Sequence, residues 1–145
     1  MNLVTSIMQG GCAGSSKPLK ILRLEEISNV ALDEQYRAYF AKTQQAKQGL
    51  RPSEIYAFHG APQSAVHSIA ANGFDISKVK RTKFGHGLYC ALDPNVSVDY
   101  CGDSNKMLLV RLITDGLKWV KDPAYYVIQD SASMNPLYII TFAKS

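Results

Sequence analysis

The feature that most constrains this chain is its series of short apolar runs, each long enough for one strand and too short for anything else. They are Lys20-Ile21-Leu22-Arg23-Leu24, Ile55 to Phe58, Leu88 to Ala91, Met107 to Ile113, Tyr125 to Gln129 and Leu137 to Phe142. The first alternates polar with apolar residues, as a half-buried strand does. Helical patterns are few. Leu32, Tyr36, Tyr39 and Phe40 fall on one helical face, with Gly49 as the stop. Pro62 suits a first helical position, Val66, Ile69 and Ala70 give that helix a face, and Asn72-Gly73 ends it. Asp93-Pro94 reads as an N-cap and first-turn proline for a helix carrying Ser97, Tyr100 and Cys101. Helices do not alternate regularly with strands. The pattern predicts an α+β fold, not a doubly wound parallel sheet.

With 145 residues the chain suits one domain. Residues 1–18 read as a leader, broken by Gly and Ser between Gly10 and Ser16, ahead of a domain over 19–145. No apolar run approaches the roughly 18 to 20 residues of a membrane span. The start has no cationic opening and no long apolar core, which argues against a secretory signal. The expected place is therefore intracellular, cytoplasmic or nuclear, or that of a delivered effector. The net charge of +4 suits an anionic ligand or a polyanion without specifying either. Cys12, Cys90 and Cys101 form no CxxC pair and no Cys/His ligand spacing. That argues against a disulfide framework and against a structural zinc site.

Three constellations carry chemistry. His59-Gly60 closes an apolar strand, where an imidazole can hydrogen-bond into a cleft and a glycine lets a ligand approach the backbone. Ser97 and Tyr100 lie three apart on one helical face, a hydroxyl beside an aromatic plate, which fits a flat heteroaromatic amide. Tyr89 follows the turn Phe84-Gly85-His86-Gly87 and offers a second wall. Taken singly, each is also an ordinary piece of a core.

Taken in order, Phe58-His59-Gly60, Gly73-Phe74-Asp75, Phe84-Gly85-His86-Gly87-Leu88-Tyr89, Val98-Asp99-Tyr100-Cys101, Tyr126-Val127-Ile128 and Met134-Asn135-Pro136-Leu137-Tyr138-Ile139-Ile140 resemble the successive blocks of the diphtheria-toxin-like catalytic domain of poly(ADP-ribose) polymerases. The upstream run Ile21 to Tyr39 is similar to the lead-in of the mono-transferase members, so the resemblance spans roughly residues 19 to 142. It implies a compact fold of two packed, mainly antiparallel sheets with a few flanking helices. It implies NAD⁺ as co-substrate, no metal, and a macromolecular acceptor, foremost a protein.

The resemblance also assigns roles. His59 would bond the adenine-side ribose, the backbone of Gly60 would hold the nicotinamide carboxamide with Ser97 adding a hydroxyl, and Tyr89 and Tyr100 would enclose the nicotinamide ring. On this reading Leu137 stands where polymer-making members carry Glu, at the start of the final strand and facing the cleft. A leucine there can neither bond a ribose hydroxyl nor act as a base, which implies transfer of one ADP-ribose unit. Three alternatives stay open: a mono-ADP-ribosyltransferase; a pseudoenzyme that keeps the cleft without turnover; and a nucleic-acid modifier using Lys78, Lys80, Arg81 and Lys83, for which no motif beyond charge speaks. Those four cations could equally face a pyrophosphate or simply solvent. The segment from Ile113 to Tyr126 is shorter than in typical members, which leaves acceptor recognition least defined.

Overall fold

The apolar runs pair into one antiparallel sheet. The structure, a computed structural model, describes residues 20–73, 88–92, 101, 105–120, 125–128 and 130–143. Within them the order is β1 (Lys20–Glu26), α1 (Val30–Ala46), β2 (Glu54–Gly60), α2 (Gln63–Asn72), β3 (Leu88–Ala91), β4 (Lys106–Ile113), β5 (Lys118–Val120), β6 (Tyr125–Ile128), a 3₁₀ turn (Ser131–Ser133) and β7 (Met134–Ala143). The strands lie in the order β1-β7-β4-β2-β3-β6-β5, and neighbours run antiparallel throughout. This is the expected α+β class.

The expected division into two packed sheets is not what the described residues form. The physical reason is the seam between β2 and β3, where one registered pair, Phe58↔Ala91, joins two longer ladders into a single sheet of seven strands. The leader and the helix opened by Asp93-Pro94 lie outside the described residues, as does the turn from Phe84 to Gly87.

β4 is the centre of the core. It pairs with β2 on one side and β7 on the other. From Met107 to Ile113 every residue but Arg111 is buried. Its alternating side chains feed two clusters. Leu108, Val110 and Leu112 join Ala57, Val66, Ile69 and Ile139 on the face covered by α2. Met107 and Leu109 join Phe58, Cys101, Ile140 and Phe142 on the other. Burying a side chain of this size stabilises by about 1.5–3 kcal/mol, so this strand holds the sheet together.

Capping positions the helices. Asn29 caps α1 by accepting from the Leu32 N–H, and its amide donates to the carbonyls of Ala70 and Ala71 at the end of α2. One side chain thus fixes the start of one helix to the end of the other. α1 ends at Ala46, and Gly49 follows at φ +90°, as its stop signal predicts. Of the four residues expected on the buried face of α1, Tyr36 is buried while Leu32, Tyr39 and Phe40 are half-buried. Pro62 is the N-cap of α2, one residue ahead of the expected first helical position. The final strand opens at Met134, three residues before Leu137, because Asp130 caps the preceding 3₁₀ turn and sends the chain into β7 early. Beyond α1, the Asp115 carboxylate accepts from Lys47 Nζ and from the Ser53 N–H, both at 2.7 Å, which ties the helix end to the β4–β5 turn and to the approach to β2. The Lys47 bond holds the Asp115 carboxyl below its usual range. Among the described residues no helix is long and apolar enough to cross a membrane.

Gly73 closes α2 at φ +80°, ψ −176°, a conformation that is essentially glycine-only, and a Cβ there would stand 2.7 Å from Leu32 Cδ2. The Leu32 methyl can swing away but the backbone strain remains, so Gly73→Ala should cost on the order of 1–3 kcal/mol. Urea unfolding monitored by circular dichroism measures this. An unchanged midpoint would show that the α2 terminus relaxes freely.

Candidate active site

The seam that joins the two ladders also builds the site. Phe58 registers opposite Ala91, and extending that antiparallel register by two residues brings Gly60 opposite Tyr89. His59 lies between them in sequence and crosses the seam with its side chain: its Nδ1 stands 2.9 Å from the Tyr89 carbonyl oxygen. A carbonyl only accepts, so Nδ1 carries the proton and donates. In the neutral ring this leaves Nε2 as the acceptor. Three of the residues singled out in the sequence, His59, Gly60 and Tyr89, are therefore brought together by one strand pairing.

His59 is more enclosed than expected. It is 8% exposed and does not stand at a cleft edge. The alternation of β2 places it with Ala57 on the face that α2 covers, and it registers against the buried Leu108. Burial lowers its pKa below 6.5, opposed by the Tyr89 bond, so the ring is neutral at neutral pH. A neutral imidazole with Nδ1 committed to a carbonyl suits acceptance from a ligand hydroxyl at Nε2. Cys90, next to Tyr89, is unsuited to nucleophilic chemistry: it is fully buried, its sulfur contacts Met134 Sδ at 3.2 Å, and burial pushes its thiol pKa up.

Leu137 lies on the other side of β2 from Tyr89. It lies on β7, and β4 separates β7 from β2. The β4–β7 register shifts between Leu109 and Val110, and Leu137 sits in that irregularity, its carbonyl accepting from the Ile27 N–H. It lines a cavity with Glu54, Arg111, Asn135, Arg37 and Phe40, at the opposite end of β2 from His59. Glu54 stands five positions before His59 on β2, roughly 17 Å along an extended strand, while Leu137 itself lies between the rows of Ala57 and Phe58.

The strand next to β3 is instead β6. Its first residue, Tyr125, registers opposite Ala91 in the same row as Phe58. At about 4.8 Å per strand, its backbone stands roughly 10 Å from β2. Ser97 and Tyr100 lie outside the described residues, as do Lys78, Lys80, Arg81 and Lys83. Cys101, the residue after Tyr100, is buried in one cluster with Phe58, and its thiol donates to the Lys106 carbonyl.

Residues 2–115 match the family model for the poly(ADP-ribose) polymerase catalytic domain. That range takes in residues read as a leader and contains His59, Gly60 and Tyr89, but it stops before Tyr125 and Leu137. Over 82 residues, 55% of the chain, the sequence is 37% identical to the protein mono-ADP-ribosyltransferase PARP10 of Mus musculus. The matched part is 8% of that much longer protein.

The lowered pKa of His59 has a consequence for stability. The unfolded chain takes up a proton at 6.5 while the folded chain resists it to a lower pH. Stability from the neutral ring is thus full above 6.5 and is lost as the pH falls from there through the folded value. His59→Asn should flatten this acid-side loss. Thermal melts of both proteins across that range check it, and parallel curves would place the titration elsewhere.

Proposed function

The chain belongs to the poly(ADP-ribose) polymerase catalytic-domain family of NAD⁺ ADP-ribosyltransferases, and we propose that it transfers a single ADP-ribose unit from NAD⁺ to a protein acceptor. The observation that carries the proposal is the His59–Tyr89 bond at the β2–β3 seam, inside the matched range. In this reading the Nε2 acceptor of His59 takes a hydroxyl of the adenine-side ribose. The backbone of Gly60 pairs with the nicotinamide carboxamide. Ser97 adds a hydroxyl to that amide, and Tyr89 and Tyr100 enclose the ring.

The chemistry then follows from position. The bond between ribose C1′ and the nicotinamide nitrogen breaks, and its electron pair leaves with nicotinamide. A nucleophile on the acceptor bonds C1′. On the resemblance, the position that carries Glu in polymer-making members is occupied here by Leu137, which is not a carboxylate. Without that base the site must rely on holding NAD⁺ in a reactive geometry, and an acceptor that is already ionised, such as a carboxylate, needs no deprotonation. Elongation requires activating a ribose hydroxyl, for which a leucine is not suited, so one unit is the expected product. The relationship to a mouse mono-ADP-ribosyltransferase supports the same reading. The deep burial of His59 favours a second one, a module that holds NAD⁺ or ADP-ribose without turnover.

The test is incubation with adenine-labelled NAD⁺ and a protein extract, read by denaturing gel, intact mass and nicotinamide release. Discrete single increments are expected. His59→Ala should reduce transfer by about tenfold or more, the scale of one lost hydrogen bond to substrate. Leu137→Glu should leave the product a single unit, since its side chain lines a different cavity. A ladder trimmed to one band by a poly(ADP-ribose) glycohydrolase would overturn mono-transfer. NAD⁺ binding with no release of nicotinamide would establish the module.

A further inference from the structure

The cavity that holds Leu137 is a site in its own right. It measures about 370 Å³ and lies between α1 and the β2–β4–β7 part of the sheet, within the size range of small-ligand pockets, roughly 300–1,000 Å³. Its walls are unevenly satisfied. Both carboxylates are already engaged: Glu54 Oε2 accepts from the Tyr36 hydroxyl at 2.8 Å and pairs with Arg111 Nε at 2.9 Å, while Glu54 Oε1 takes Arg51 at 3.3 Å. Asp33 accepts from the buried Asn135 amide at 3.0 Å. The guanidiniums keep donors to offer. Arg111 pairs with Glu54 through its Nε and lies over the Tyr56 ring, 5.4 Å from its centroid, an arrangement that fixes its plane at the cavity wall. Arg37 also lines the cavity, with no ion-pair partner among the described residues. Phe40 and Leu137 add an apolar wall.

We propose that this cavity binds a small organic anion, a carboxylate or phosphomonoester carried on a compact apolar body, at a second site separate from the His59 seam. Two guanidiniums present planar, forked donors that match either head group. The apolar wall takes the rest of the ligand. Glu54 is neutralised within the protein, so it holds Arg111 in place without repelling an anion. Asn135 registers opposite Arg111 across β4 and β7 and keeps the floor rigid. Arg111 registers opposite Tyr56, and strand alternation puts Tyr56 and His59 on opposite faces of the sheet, so this ligand and NAD⁺ can bind at once.

Phenyl phosphate and benzoate are the probes, with phenol as the uncharged control, titrated into the intact chain and followed by NMR of the arginine Nε–H groups and leucine methyls. Both anions should give saturable shifts at Arg37, Arg111 and Leu137 and phenol none, and the anion that saturates first identifies the head group. Arg37 is exposed, so Arg37→Gln should fold normally and weaken both anions about tenfold, as expected for one charge-assisted contact. Arg37→Lys should recover part of the loss. Saturating NAD⁺ should displace neither anion. The proposal fails if neither anion gives a saturable shift, if Arg37→Gln binds as the parent does, or if NAD⁺ displaces the anions.

Discussion

Two ladders meet at Phe58↔Ala91, and the rest of the site depends on how that junction is held. A single registered pair is little to hold two groups of strands together. The His59 side chain adds a bond across the same seam, to the backbone of the partner strand. In a buried setting, losing such a partner strands a polar group at a cost of about 1–3 kcal/mol. The bond that helps hold β3 against β2 also fixes the tautomer of the ring.

The remainder of the molecule makes that seam rigid. β4 presses on β2 along its whole length, from Glu54↔Ile113 to Gly60↔Met107, and its buried side chains fill both faces. α2 leaves β2 through Pro62 and covers the His59 face. α1 is fixed at both ends, by Asn29 to α2 and by Lys47 to Asp115. Near its middle the Tyr36 hydroxyl reaches the Glu54 carboxylate, while burial drives the pKa of that phenol up and keeps it a donor. The far end of β2 is thereby an ion-paired platform, and the near end is a nearly dry histidine.

Much of this was legible in the sequence. Short apolar runs located β2, β4 and β6 closely, because each is long enough for one strand and no more. His59-Gly60 and Tyr89, each ordinary alone, stood out through the order of the blocks that contain them. Strand order was not legible: block order in a sequence carries no information about which strands are neighbours, and β7, with Leu137, and β6, with Tyr125, lie two strands from β2 on opposite sides. The Arg37–Arg111–Glu54 cavity was equally invisible, since its members come from α1, β2 and β4 and share no local motif.

The central claim is that NAD⁺ is held at the β2–β3 seam, and a titration with a non-hydrolysable carba analogue of NAD⁺ tests it most directly. The ring nitrogens of His59 and the methyls of Leu137 can be followed by NMR in the same sample. The account predicts that the His59 signals move and saturate with the analogue while the Leu137 methyls stay still. Saturating shifts at Leu137 with His59 unmoved would contradict it.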